Sequence, residues 1–249
     1  MEPKPSTPMQ QALNLHYDTG KDDIWLTNQN SLRILIGILG MLLPVILWIV
    51  LVIDVPHIGL MDSISHYYYT RSCSIFVIVV SLLAIFLLIY KGKEPIDFYL
   101  SSIAGIFALC VVIFPTSNIS KIYPDQDHLY SVTILRESKL RTIFHYLSAA
   151  IFLGCLAYMS IFVFTKSTFK NPMNRTKMKR WRNRIYRTCG VIMILAILVI
   201  FANFLGWIPD EDFDRLNLTF WMEAVAVESF GFAWLVKAEV FCGDGQGKR

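Results

Sequence analysis

Six runs of apolar residues, at 32–53, 72–90, 98–114, 142–165, 189–208 and 217–239, divide the chain, and each comes close to the roughly 20 residues that a helix needs to cross a bilayer's hydrocarbon core. Lipid offers no water to a bare peptide group, so segments of this kind must close their hydrogen bonds internally, as helices do. The predicted fold is therefore all-α. It is a polytopic membrane protein whose residues 31–241 form a six-transmembrane-helix bundle, between a polar segment 1–30 and a short tail 242–249. Composition agrees: 55% of the 249 residues are hydrophobic and 17% are charged, and the mean hydropathy is +0.49, outside the range of ordinary soluble domains. No second soluble domain fits the length. The first thirty residues, with Pro3, Pro5 and Pro8, are too polar for the apolar stretch of a signal peptide, so no cleavable leader is expected.

The distribution of Lys and Arg predicts which way the bundle faces. Between the fourth and fifth runs lie Lys166, Lys170, Arg175, Lys177, Lys179, Arg180, Arg182, Arg184 and Arg187 with no acidic residue among them. A loop of that composition stays on the cytoplasmic side. Lys91, Lys93, both termini and Lys248–Arg249 then fall on the same side, and the acidic run at 210–214 and the His66 loop fall opposite. The net charge of +4 is explained by this asymmetry, and no nucleic-acid partner is implied. The same basic loop is also a candidate surface for anionic lipid or a partner. The five cysteines, Cys73, Cys110, Cys155, Cys189 and Cys242, have no CxxC spacing and read as apolar filler.

The last run is the one that needs explaining, because it carries Glu223, Glu228 and Lys237. An ionisable group at the centre of the hydrocarbon costs at least about 2.5 to 3.5 kcal/mol, so such groups face inward and find partners. At about 100° per residue, Glu223, Phe230, Trp234 and Lys237 share one helical face and Glu228 lies on another flank. His66, His145, Asn203 and Glu223 are predicted at similar depth on four different helices, with Asp62, Arg71 and Tyr67 to Tyr69 just above them. The three tyrosines read as an interfacial aromatic belt.

Three functions compete for this set. Asp62, His66, His145, Asn203, Glu223, Glu228 and Lys237 are the candidates for an outward-facing pocket or permeation path that binds or translocates a small solute, an ion, a proton or a lipid. In that reading Lys237 ends the polar ladder or pairs with Asp97, and no cofactor is needed. The runner-up is a membrane-embedded hydrolase in which His66, His145 and Glu223 hold zinc and activate a water, although HExxH and HxxxH signatures are absent. The third is a non-catalytic scaffold or partner subunit, with the polar groups acting as interhelical glue. Homo-oligomerisation is left open by the sequence.

The segments SISHYYYT (63–70), AGIFAL with FPT (104–109 and 114–116), HYLSAAIF (145–152) and WMEAVAVESFGFAWLVK (221–237) resemble those of an uncharacterised group of bacterial six-span membrane proteins. The resemblance implies a bacterial inner-membrane location and brings no activity and no catalytic residue. Arg71 departs from that group, where a small residue follows the threonine. Membrane hydrolases of the ceramidase and progestin-receptor type differ more, having seven spans and a paired histidine motif in the last, where this chain has Glu223.

Overall fold

The computed structural model describes residues 29–55, 58–92, 94–119, 131–166 and 176–240. Most of the polar N-terminal segment, His57, Lys93, the centre of the expected outer loop, Lys170, Arg175 and the tail with Cys242 lie outside the described residues. Among the described residues every regular element is helical. The long helices are α1 (Gln29–Asp54), α2 (Cys73–Ile89), α3 (Pro95–Ile113), α4 (Lys139–Tyr158) and α5 (Lys177–Phe204), followed by the short α6 (Asp210–Arg215) and the closing α7 (Leu218–Lys237).

Among the described residues, four segments are long and apolar enough to cross a membrane: Asn30–Asp54, Pro95–Ile113, Lys139–Val163 and Lys177–Phe204. These make the chain an integral membrane protein in its architecture. Helix α2 is equally apolar but has 17 residues, and α7 has 20 residues but carries both glutamates and Lys237.

Each long helix packs on its neighbour in the chain, α1 on α2 and so on through α5 and α7, and α7 returns to pack on α1. The result is a closed ring in which α7 also touches α4 across the middle. The α1–α7 seam depends on glycine: a Cβ placed on Gly231 would sit 2.7 Å from the Gly37 carbonyl oxygen, so the two backbones are in direct contact, as small residues allow in membrane helices. The Ser101 and Gly105 pair works the same way, since a Cβ on Gly105 would fall 2.8 Å from the Ala84 carbonyl oxygen. The Ala150 and Gly154 pair does not, because nothing lies within 4 Å of a Cβ at Gly154.

The outer surface of the ring is aliphatic. Ile78, Leu82, Ile85 and Ile89 of α2 and Val191, Ile194, Leu195 and Leu198 of α5 are all exposed, a coat far beyond what a water-soluble monomer presents. Helix α7 is the exception. Between the exposed Trp221 and Val240 it shows no large apolar side chain to the outside, because α1 and α5 flank it. The charged helix is the enclosed one, which is how the chain accommodates carboxylates at that depth.

Two segments differ from the sequence expectation. Helix α5 begins at Lys177, capped by the Thr176 hydroxyl accepting from Lys179 N at 3.0 Å, so most of the described basic stretch is helix and not loop. Lys and Arg are strong helix formers, and the apolar period that marks the span does not mark where the helix starts. Second, the residues before α2 are not its first turns. They form a separate 3₁₀ turn, Ile64–Tyr69, which ends at an extended Thr70. Thr70 Oγ1 donates to the Tyr67 carbonyl and accepts from Ser72 N, side-chain bonds that compete with helix continuation.

Candidate functional site

The 3₁₀ turn Ile64–Tyr69 is held at one end of the ring by α7. Ile64 N donates to Glu223 Oε2 at 2.6 Å and Ser63 Oγ donates to the same oxygen at 2.8 Å. Ser63 Oγ also accepts from Ser65 N at 3.0 Å, capping the turn. A backbone bond from Phe220 N to the Asp62 carbonyl, 2.9 Å, fastens the start of α7 to the start of the turn. Glu223 therefore anchors the turn, one of its carboxyl oxygens accepting from both a hydroxyl and a backbone amide.

From the opposite wall α4 supplies His145. Its Nε2 lies 3.0 Å from Ser65 Oγ and its Nδ1 lies 2.9 Å from the Phe114 carbonyl oxygen. A carbonyl can only accept, so the proton sits on Nδ1, and Nε2 is left to accept the Ser65 hydroxyl. Both residues are buried.

His66 is the odd member. It is 8% exposed, and neither ring nitrogen has a hydrogen-bond partner among the described residues. Burial, and after it the nearby His145, pushes its pKa down from 6.5 to about 4, so the ring is neutral at physiological pH. Burial likewise raises the Tyr67 phenol to about 12. The expected aromatic belt is not one: Tyr67 and Tyr69 are wholly buried, and Tyr69 Oη donates to the Thr116 carbonyl at 2.5 Å. A strap of extended chain covers this end, its Val132 N bonded to the Tyr69 carbonyl and its Leu135 paired in both directions with the Asn118 side chain.

The remaining predicted residues lie elsewhere. Asn203 Nδ2 donates to the Ile208 carbonyl at 3.3 Å, closing the exit of its own helix. Glu228 is half-buried and makes no hydrogen bond or ion pair among the described residues. Lys237 is at the far end of α7, its Nζ 5.6 Å from the Phe164 ring centroid. Asp97, fully buried at that far end, is paired with Lys166, which also reaches Glu94 at 2.9 Å. Arg71 lies 3.2 Å from Asp54 near the turn.

Ser63, Ser65 and the Phe114 carbonyl were not singled out from the sequence. A Ser-x-Ser step ahead of a histidine is too common to flag, and a carbonyl leaves no mark in a sequence at all. The zinc arrangement of His66, His145 and Glu223 is not assembled: both His145 nitrogens are engaged, and no three His, Cys, Asp or Glu side chains converge on one metal position among the described residues. Comparison with protein-family models, with curated proteins and with solved structures finds no match to this chain.

Proposed function

We propose that the protein spans the bilayer six times with both termini in the cytoplasm, and that its outward end binds a small solute, an ion or a lipid headgroup. Support for the span count is the ring closure of six long helices and their aliphatic coat. Support for the sidedness is the cation-rich stretch from Lys166 to Arg187, which the positive-inside rule keeps in the cytoplasm. The bacterial inner membrane is the location that the resemblance favours.

The observation that carries the binding reading is His66. A buried neutral imidazole has one donor and one acceptor, and leaving such groups unbonded costs about 1–3 kcal/mol each. An occupant of the site supplies those bonds. The adjoining Ser63, Ser65, His145 and Glu223 fix the turn that presents the ring, so the site is ready before the ligand arrives. Translocation extends this reading through the half-buried Glu228 towards Lys237, and proteoliposome flux with Glu228→Gln tests that extension.

The binding test uses His66→Leu. In the ligand-free protein this variant removes the unbonded nitrogens and is expected to gain about 1 kcal/mol of stability. In a melting screen against inorganic cations, sugars and zwitterionic or anionic phospholipids, the shift that a ligand gives the wild type is lost in the variant. A variant that melts lower than wild type and keeps every ligand-induced shift would overturn the reading.

A further inference from the structure

Four buried serines elsewhere in this bundle give their hydrogens to the main chain. Ser72 donates to Leu47, Ser101 to Tyr90 and Phe98, Ser148 to Phe144 and Ser160 to Tyr186, always to a carbonyl. Ser65 is different, because its hydroxyl meets the Nε2 of His145 at 3.0 Å. The other nitrogen of that ring is fixed as an N–H by the Phe114 carbonyl at 2.9 Å. Nucleophile, base and orienting acceptor stand here in the order that activated serines require, and that order is recognised by geometry and not by position in the chain.

We propose that Ser65 is a nucleophile and His145 its general base, and that the outward site transfers or hydrolyses the acyl group of a lipid carboxylic ester. The proposal rests on the ligand-site reading above and names its ligand class.

Three further observations support it. The serine is seated rigidly, its backbone N bonded to Ser63 Oγ and the turn fastened to Glu223, and such second contacts hold a reacting atom in place. Next to it in the chain, His66 is a buried ring whose nitrogens are unbonded, and the N–H of a neutral imidazole is a ready donor to an oxyanion once an acyl carbonyl enters. Depth is the third. His145 lies six residues after Lys139, the first of α4, and Glu223 five after Leu218, the first of α7, so both are within about 10 Å of the helix ends at 1.5 Å per residue. Glycerolipid ester carbonyls lie at that interface level, whereas a water-soluble ester has no reason to.

The chemistry balances with water as the only co-reactant. Ser65 Oγ forms a bond to the ester carbonyl carbon while its proton passes to His145 Nε2. The carbon–oxygen bond to the alcohol then breaks, and His145 returns that proton to the departing alkoxide oxygen. A water molecule, deprotonated in turn by His145, attacks the acyl-serine and releases a carboxylic acid and free Ser65. When a second alcohol replaces the water, the product is a new ester.

The test is covalent capture in the folded protein. The full chain in phospholipid nanodiscs is treated with a lipophilic fluorophosphonate and mapped by peptide mass spectrometry. The expected result is one adduct per chain, on Ser65, absent in Ser65→Ala. His145→Gln, confirmed as folded by its melting curve, labels at least ~100-fold more slowly, the lower bound for loss of a general base. The wild-type rate also falls on acidification as His145 is protonated, so the proposal stays testable if His145→Gln does not fold. A folded wild type that takes no label at any pH, or labels equally in folded His145→Gln, overturns it. Lipid-induced melting shifts that persist alongside absent labelling would sink the catalysis and leave the binding site standing.

Discussion

The two ends of the ring hold their buried polar groups by opposite means. At the Lys166 end, charge meets charge: Asp97 pairs with Lys166, Lys166 with Glu94, and the buried Arg182 with Glu239 at 2.7 Å. Around them Trp234 is packed by the rings of Phe86, Tyr90 and Phe164 at 4.8 to 5.2 Å between centroids. At the Glu223 end, the partly buried carboxylate and the buried His145 imidazole are held by hydroxyls, amides and carbonyls. The ion pairs make the first end a clasp, although Trp234 Nε1 and Asn183 Oδ1 have no hydrogen-bond partner among the described residues. The second has a hydroxyl shared with an imidazole and a ring whose nitrogens have no hydrogen-bond partner among the described residues, the observation on which the proposed binding site rests.

The largest expected effect tests the clasp. Lys166→Met takes the Lys166 ammonium away from Asp97, a fully buried carboxylate, and removing one member of a buried pair typically costs about 3–5 kcal/mol. Lys166 itself is held well on the charged side: partial burial pulls its pKa down, but the Asp97 and Glu94 carboxylates outweigh that and raise it. Chemical or thermal unfolding in detergent should register the loss. A change of less than about 1 kcal/mol would put the pair in the class of solvated surface bridges and erase the contrast between the ends.

The pH response sharpens the contrast from the other side. His66 titrates near 4 when folded against 6.5 when unfolded, so between these values the unfolded chain binds a proton that the folded one refuses. Its contribution is complete above pH 6.5, declines as pH falls towards 4, and changes no further below that. The loss amounts to on the order of 3 kcal/mol. Melting curves of wild type and His66→Leu from pH 7 to 4 isolate this group, and parallel curves would mean that His66 is freely solvated.

Next in size is the anchor. Glu223→Gln keeps an oxygen to accept from Ile64 N and Ser63 Oγ, so a loss of no more than about 1 kcal/mol is expected. Glu223→Ala loses both bonds and should cost more. Hydrogen exchange at the amides of Ile64 and Ser65 checks the cause, because the turn itself should loosen while α2 stays protected. Unchanged exchange there would mean that the turn stands without α7.

What the sequence could and could not reveal follows the same division. Periodicity and length announce helices, and a carboxylate inside an apolar run announces an inward face, so the all-helical architecture and the gathering of Glu223, His66 and His145 at one end of the bundle were readable. The glycine seam between α1 and α7 was not, because Gly37 and Gly231 are far apart in the chain and only the ring closure brings them together. The break at Thr70 was hidden by apolar and aromatic residues on both sides of it, which suit a helix as well as a 3₁₀ turn. Asn203 misled because polarity near a helix end marks a solvent-facing cap as readily as a pocket wall. Ser65 was invisible for a different reason: serine is cheap to bury when a carbonyl is near, and only its partner distinguishes it from Ser148.

The smallest effect belongs to an ion pair near the Ile64–Tyr69 turn. Arg71 and Asp54 meet at 3.2 Å, but their side chains are 62% and 35% exposed, so water screens the attraction and the long arginine loses rotamer freedom in making it. Arg71→Ala is expected to cost no more than about 0.5 kcal/mol, and less in high salt. The Lys166 pair has the same chemistry and a fully buried partner, and should lose several times as much. Comparing the two variants at low and high salt separates burial from charge. If Arg71→Ala cost as much as Lys166→Met, the Glu223 end would also be fastened by ion pairs, and the contrast between the two ends would have to be drawn elsewhere.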